Sequence, residues 1–119
     1  MLLLKCFSWG KDVSVLNKYR NNHIQDYFDG CELNVDNNYL VPVQESGIVV
    51  FVGNKDNYGY TIIIEQVNGI DLWYVGVKNS SLKLYEYVEK GSLLGEADKE
   101  LYLFAQKDGK FVSYKEYLG

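Results

Sequence analysis

Two stretches of the chain decide its fold: residues 41–50, VPVQESGIVV, and residues 88–95, VEKGSLLG. Each contains a glycine, Gly47 or Gly91, close to the start of an apolar run. Glycine has no side chain and therefore permits a tight turn where a strand enters a sheet. Gly95 suits a bend where larger side chains would collide. Both stretches thus predict strands that follow sharp turns.

From residue 31 onward the chain alternates short strand-like runs with polar turns. Tyrosine and the β-branched residues are typical of half-buried strands. The predicted strands are residues 32–35, 39–43, 47–53, 60–67, 70–77, 82–88, 93–97 and 100–106, with a short one within 111–118. Many short strands with frequent turns predict an all-β sandwich or barrel rather than a βαβ fold.

Three details refine this prediction. The run at 47–53 is continuously apolar, which is typical of a strand buried on both sides. Pro42 has no backbone N–H, so its strand should lie at an edge or begin there. The pair Asn68-Gly69 predicts a tight hairpin between its two flanking strands.

Residues 1–27 are predicted to form an N-terminal arm that precedes a β domain at residues 28–119. The first 29 residues show no strand alternation. Val13 and Leu16 lie at helical spacing behind Asp12, which predicts a short helix over residues 11–20. The arm is therefore expected to be helical or irregular.

Composition excludes some classes of function. The chain has 119 residues, a net charge of −4 and no cluster of basic residues, so nucleic acid is a poor partner. Cys6 and Cys31 permit one disulfide or two isolated thiols. The apolar run at residues 1–4 ends at Lys5, short of a signal core or a membrane span. The chain as given is expected to be soluble, or else this run is the remnant of a removed membrane segment.

The two opening stretches together resemble the signature V-x-A/S-P-x-x-G-x-V…V-x-K-G-x-x-I-G, which is shared by biotinyl or lipoyl carriers and LytM-like M23 peptidoglycan endopeptidases. The residues between them favour the peptidases. Residues 61–69 and 72–77 resemble that family's strand, turn and Y-A-H-L strand, and residues 101–109 resemble its H-L-H-F-E…G strand. Residues 114–118 resemble its closing D-P-x-x-Y-L segment. The resemblance implies a barrel-sandwich built on a duplicated hybrid motif.

The resemblance also identifies where the family's zinc and catalytic residues would stand. In H-x-G-x-D, Phe28 takes the place of the histidine and Glu32 that of the aspartate. Gly76 replaces the histidine of Y-A-H-L, while Glu100 and Tyr102 replace the two histidines of H-x-H. A catalytic zinc needs about three protein ligands and a position for water. These vestigial positions therefore predict no catalytic residue, no metal ligand set and no cofactor.

The resemblance implies a pseudoenzyme that serves as a protein-binding or regulatory scaffold. Degenerate LytM domains of the stage IV sporulation protein FA type are similar, and imply a protein partner in a sporulation or cell-envelope complex. Such domains are membrane-anchored, which implies an extracytoplasmic or membrane-associated location in a Gram-positive-type bacterium if an anchor was removed. Trp73, Phe28 and Tyr102 are expected to fill the former metal cavity. A binding surface is predicted at Trp73, Tyr74, Tyr58 and Tyr60, because tyrosine and tryptophan favour interfaces.

Three other functions remain open at this point. A peptidoglycan-binding module would use the vestigial groove without cleaving its ligand. A divergent zinc endopeptidase would need unusual ligands, and the lone His23 lies in a polar loop before Phe28. A carrier domain would need a lysine at its hairpin tip, where this chain has Asn68-Gly69.

Overall fold

The computed structural model describes residues 24–27 and 30–112, with side chains from residue 32 onward. All regular structure in this part of the chain is antiparallel β-sheet, which confirms the predicted all-β class. The strands are β1 (Ile24–Tyr27), β2 (Gly30–Asn34), β3 (Tyr39–Pro42), β4 (Gly47–Lys55), β5 (Gly59–Gln66), β6 (Ile70–Lys78), β7 (Tyr87–Val88), β8 (Leu93–Lys107) and β9 (Lys110–Val112). They follow the order β1-β2-β8-β6-β5-β4-β7, and β3 and β9 each pair with β8 outside that path.

The long strand β8 organises the sheet because it pairs with β2, β3, β6 and β9. The two strands predicted at 93–97 and 100–106 are in fact one. The backbone passes between the halves through Lys99, which has a φ of 67°, and the Lys99 carbonyl accepts a hydrogen bond from Val35 N–H at 2.8 Å. β8 continues through this left-handed residue: its first half pairs with β3, its second half pairs with β2 and β9, and β6 pairs with both halves.

The sheet carries an apolar cluster on each face, because successive side chains of a strand point to opposite sides. The main core contains the larger set of buried residues: Leu33, Val35, Tyr39, Val41, Val43, Val49, Ile62, Ile64, Leu72, Tyr74, Val77, Val88, Leu94, Ala97, Leu101, Leu103 and Ala105. The outer cluster on the other face contains Ile63, Trp73, Val75 and Phe104, with Val50, Phe51, Tyr102 and Phe111 packed around them.

Several turn and edge predictions are confirmed. β3, which contains Pro42, pairs with β8 alone, and its register shifts between Val41 and Pro42. The Asn68-Gly69 turn joins β5 to β6, with Gly69 N–H donating to Gln66 O at 3.0 Å. Gly47 lies where β4 passes closely beside β5: a Cβ built there would be 2.2 Å from Glu65 O. The close approach of the two backbones therefore requires glycine at this position.

Other strand predictions are wrong in detail. β4 is not buried on both sides: Ile48 is exposed and residues 50–53 are half-buried. β1 was not predicted, since its sequence IQDY lacks alternation, yet it pairs with β2. Residues 82–86 form a turn rather than a strand. The predicted helix at 11–20 and the closing segment at 114–118 lie outside the described residues.

Candidate functional site

Three neighbouring strands bring most of the vestigial positions together. In the sheet register Glu32 of β2 stands opposite Tyr102 of β8, and Tyr102 stands opposite Val75 of β6. Glu100 precedes Tyr102 by two residues and so projects on the same face of β8. Glu32, Glu100 and Tyr102 therefore lie close together on one face of the sheet. Phe28 and His23 lie outside the described residues.

The Tyr102 hydroxyl lies within hydrogen-bonding reach of the carboxylates of Glu100 and Glu32, and its one proton is donated to one of them at a time. Burial, together with the negative charges of Glu32 and Glu100, raises the pKa of the Tyr102 phenol from 10.0 to about 12. Glu32 is a buried carboxylate, with 8% of its surface exposed. A buried carboxylate needs hydrogen-bond donors, and the phenol of Tyr102 supplies one.

Gly76 lies beside the same group at an irregularity of β6. The register of β6 against β8 shifts between Val75 and Val77, and Gly76 between them has a φ of 96°. A Cβ at this position would lie 3.2 Å from Glu100 O. The backbone here has a conformation and a close contact that both favour glycine.

These residues do not fit a zinc ion. Gly76 offers no donor, and the phenol of Tyr102 stays protonated at neutral pH because its pKa is raised to about 12. Among residues 24–27 and 30–112, no three His, Cys, Asp or Glu side chains come close enough together to hold a metal. Two carboxylates bridged by a phenol are a set for accepting hydrogen bonds rather than the tetrahedral nitrogen-rich set that zinc peptidases use.

The predicted aromatic surface is divided between the two faces of the sheet. Tyr74 was wrongly placed on the surface: it is 1% exposed, and its hydroxyl accepts a hydrogen bond from Gln44 N–H at 2.8 Å. Tyr60 is half-buried and also packs against the main core. Trp73 belongs to the outer cluster. Tyr58 alone of the four is exposed, at 37%.

The outer cluster forms a network of rings in edge-to-face contact. Tyr58 lies against Trp73 with 5.3 Å between ring centroids and against Phe104 at 5.8 Å. Phe111 contacts the same two rings, at 4.9 Å from Trp73 and 5.8 Å from Phe104. Tyr102 packs against this cluster. Tyr102 and Trp73 thus pack in one apolar cluster. Phe28, the third residue expected to fill the former metal cavity, lies outside the described residues.

Lys55 also contacts the outer cluster, and the sequence prediction did not include it among the site residues. Its Nζ lies 4.7 Å from the centroid of the Phe51 ring and 5.1 Å from that of Trp73. These distances are within the range of cation–π attraction. Lys55 begins the polar turn between β4 and β5, where it looked like an ordinary solvated residue. Only the register of the hairpin brings its ammonium group over the rings.

One structural observation bears on the predicted membrane association. Within residues 24–27 and 30–112 there is no helix of the length and apolarity needed to cross a bilayer.

Comparison with known proteins identifies the family to which this chain is similar. The model of peptidase family M23 matches residues 26–115. Stage IV sporulation protein FA of Bacillus subtilis is 31% identical over 94 residues, which cover 74% of this chain and 35% of that protein. The chain thus spans about a third of the length of this relative.

Solved structures show the same fold. The catalytic domain of lysostaphin from Staphylococcus simulans superposes with a TM-score of 0.72 at 15% identity, over 83% of this chain and 93% of that one. Helicobacter pylori Csd3 superposes with a TM-score of 0.66 at 24% identity, over 74% of this chain and 26% of that one. At such identities the likeness concerns the fold. With the family model covering most of the strands described above, the chain belongs to peptidase family M23.

Proposed function

We propose that this chain is a non-catalytic member of family M23 that acts as a protein-binding or regulatory domain in a sporulation or cell-envelope complex. The observation that carries the proposal is the hydrogen-bonded group of Tyr102, Glu32 and Glu100, which stands where the family resemblance places two metal ligands and an acid–base residue. The Tyr102 phenol supplies one hydrogen-bond donor to this group, whereas the family resemblance implies histidine at its position.

The chemistry of the family cannot proceed on this set of side chains. Zinc peptidases use the metal to lower the pKa of a bound water and to polarise the scissile carbonyl. A second group must then pass a proton to the leaving amine. Gly76 has no side chain for that step, and Phe28 has no lone pair to offer a metal. Substitutions at these positions remove the ligands and the proton-transfer group together.

The proposed role in sporulation is based on the similarity to stage IV sporulation protein FA. A protein that is 31% identical over most of this chain is named as a stage IV sporulation protein, and a fold retained without its chemistry is suited to recognition. We infer a protein partner, and an extracytoplasmic or membrane-associated location for the protein of which this domain forms part. Peptidoglycan binding is the second candidate, because this fold also carries the lysostaphin peptidase.

Metal analysis tests the loss of the site. The purified protein is loaded with excess zinc, dialysed, and measured by inductively coupled plasma mass spectrometry, with the lysostaphin catalytic domain as the positive control. We expect far less than one zinc per chain, and no cleavage of pentaglycine or crosslinked peptidoglycan. One retained zinc per chain, or cleavage that a chelator abolishes, would contradict the proposal.

Partner recovery tests the scaffold role. The tagged protein is expressed in its native host during sporulation and recovered with mild crosslinking. We expect a stoichiometric complex that survives gel filtration. A monomer at every stage would refute the scaffold. Retention on purified peptidoglycan, with no protein partner, would instead favour the second candidate.

A further inference from the structure

The sheet register sets one row of side chains across four consecutive strands. Residues that stand opposite one another in this row are Tyr87 of β7, Ile48 of β4, Glu65 of β5 and Asp71 of β6. The residue that follows each of them in its strand, or precedes it, belongs to the main core: Val88, Val49, Ile64 and Leu72. The four side chains therefore point to the opposite face, which carries the outer cluster. They are called the outer row below.

One end of the outer row is apolar and open to solvent. Tyr87 is exposed at 56% and Ile48 at 37%. Because the two residues stand directly opposite each other, their side chains are neighbours and form one contiguous surface. A single exposed apolar side chain is ordinary, whereas contiguous ones mark places where a protein meets a partner.

The other end of the outer row carries two acids without a base. Glu65 is exposed and Asp71 is half-buried, and side chains directly opposite each other have Cβ atoms about 5 Å apart. Neither acid belongs to an ion pair within the described part of the chain. Asp71 Oδ1 is buried and accepts no hydrogen bond, so this carboxylate is poorly satisfied by the protein. A cation placed at the exposed side of the two acids would remove a repulsion that the folded protein carries alone.

We propose that the outer row binds an arginine in an extended segment of a protein partner, with apolar residues two and four positions away from it. The guanidinium would lie against the carboxylates of Glu65 and Asp71. The apolar residues would pack on Ile48 and Tyr87. The proposal rests on the scaffold function, because it gives the chemistry of the partner that the scaffold would hold.

The spacing of the strands sets the spacing of the ligand. Neighbouring strands lie about 4.8 Å apart, so the midpoint of the two acids is about 7 Å from Ile48 and about 12 Å from Tyr87 across the sheet. In an extended segment, side chains two positions apart are separated by about 7 Å and those four positions apart by about 13 Å. A segment that crosses the strands therefore places its arginine and two apolar side chains over the matching parts of the row.

The chemistry of the row selects arginine over other ligands. A guanidinium presents several N–H donors in one plane and can serve two carboxylates at once. A calcium ion takes about six to eight oxygen ligands, and two carboxylates fall short of that number. A wholly apolar segment would leave the two like charges together, and an acidic segment would add a third.

The test is an NMR titration of the isotope-labelled protein with a matched pair of peptides. One is acetyl-Arg-Ser-Leu-Ser-Leu-amide, and the other has citrulline, which keeps the shape of arginine and lacks its charge. We expect the arginine peptide to shift the backbone amides of the outer row in a saturable manner, and to bind about threefold or more tighter than the citrulline peptide. Equal affinities, the absence of a saturable shift, or the same shifts with calcium chloride alone would overturn the proposal.

Matched substitutions locate the effect. Glu65→Gln combined with Asp71→Asn should abolish the difference between the two peptides. Asp36→Asn combined with Asp56→Asn removes the same charge from exposed acids outside the row and should preserve that difference. Its loss in both double variants would reduce the site to general charge attraction and refute it. Ile48→Thr should weaken both peptides alike, and unchanged binding would refute the apolar contact.

Failure of this site is distinguishable from failure of the scaffold role. A partner recovered equally well with the wild-type protein and with the Glu65→Gln and Asp71→Asn double variant would refute this site and leave the scaffold role. Retained zinc, in contrast, would refute the scaffold role, while the titration would still decide whether the outer row recognises arginine.

Discussion

The hydrogen bonds of Tyr102 tie the ionisation of one phenol to the stability of the fold. Its pKa is raised from 10.0 to about 12, chiefly by burial and then by Glu32 and Glu100. The folded protein therefore holds this proton more tightly than the unfolded chain does. The resulting stabilisation is complete below pH 10 and is lost as the pH rises toward about 12.

Removing this hydroxyl should destabilise the protein at neutral pH. Tyr102→Phe leaves the buried Glu32 carboxylate without its phenol donor, which should cost about 1–3 kcal/mol in the free energy of unfolding. Urea unfolding measures the loss, and ultraviolet titration should show the loss of one phenol ionisation near pH 12. Tyr87→Phe, at an exposed tyrosine, is the matched control. Equal stability of the two variants would show that Tyr102 does not support Glu32.

Gly76 gives a second local prediction. Gly76→Ala should lower stability by about 1–2 kcal/mol or more, because the backbone has positive φ and the added carbon meets Glu100 O at 3.2 Å. Gly109→Ala isolates the first cause, since its φ is 79° but no atom lies within 4 Å of the added carbon. Thermal unfolding of both variants separates strain from contact. If Gly76→Ala lowered the free energy of unfolding less than Gly109→Ala does, the contact with Glu100 O would not contribute to the loss. Histidine could then be accommodated at this position easily.

The hairpin of β5 and β6 sets two acids directly across from each other. Glu65 pairs with Asp71 in the register, and burial, followed by the charge of Glu65, raises the pKa of Asp71 above 3.8. The stabilisation that comes from a protonated Asp71 is complete below its unfolded pKa and is lost as the pH rises through its folded pKa. At neutral pH the charged pair therefore opposes folding.

Neutralising this pair should stabilise the hairpin at neutral pH. Asp71→Asn should raise the free energy of unfolding by on the order of 0.5 kcal/mol, because like charges directly opposite are destabilising and solvent screens them only in part. The gain should shrink as the pH falls toward 4. Glu65→Gln should act in the same direction, and the double variant should gain less than the sum. A gain that grew on acidification would reverse the assigned sign.

Strand chemistry explains which parts of this architecture the sequence could predict. The β5–β6 hairpin was predictable because Asn-Gly favours a tight turn between two apolar runs. β4 was misjudged because its apolar residues divide between the two clusters, and those at the outer cluster, Val50 and Phe51, are only half-buried. Glu32 and Tyr102 were assigned to vestigial positions by family resemblance, and the register sets them opposite each other. Lys55 was missed because its position over Trp73 depends on a hairpin geometry that local pattern does not encode.

Two apolar clusters on opposite faces share the same strands, so residues 24–27 and 30–112 form one sheet that does not divide into independent halves. Leu72 and Trp73 are adjacent in β6 yet belong to different clusters. Loss of the main core must therefore disturb the outer cluster through the common backbone. The described domain should consequently unfold as a single unit, as small domains do.

Two spectroscopic probes test whether the described domain unfolds as a single unit. In a Trp9→Phe background, Trp73 fluorescence reports the outer cluster and far-ultraviolet circular dichroism reports the sheet. The two urea transitions should coincide. Leu103→Ala, a truncation in the main core, should shift both together by about 2–5 kcal/mol. Lys83→Gln should shift neither. Separate midpoints for the two probes would show that the clusters melt independently.

The length and position of β8 have a consequence for synthesis of the chain on the ribosome. β2, β3 and β6 all pair with β8. One edge of each strand therefore keeps unpaired backbone N–H and C=O groups until residues 93–107 have left the exit tunnel. The β5–β6 hairpin can form while translation continues, but closure of the sheet must be a late event. Nascent chains stalled before residue 93 should therefore engage holding chaperones far more than chains released after residue 112.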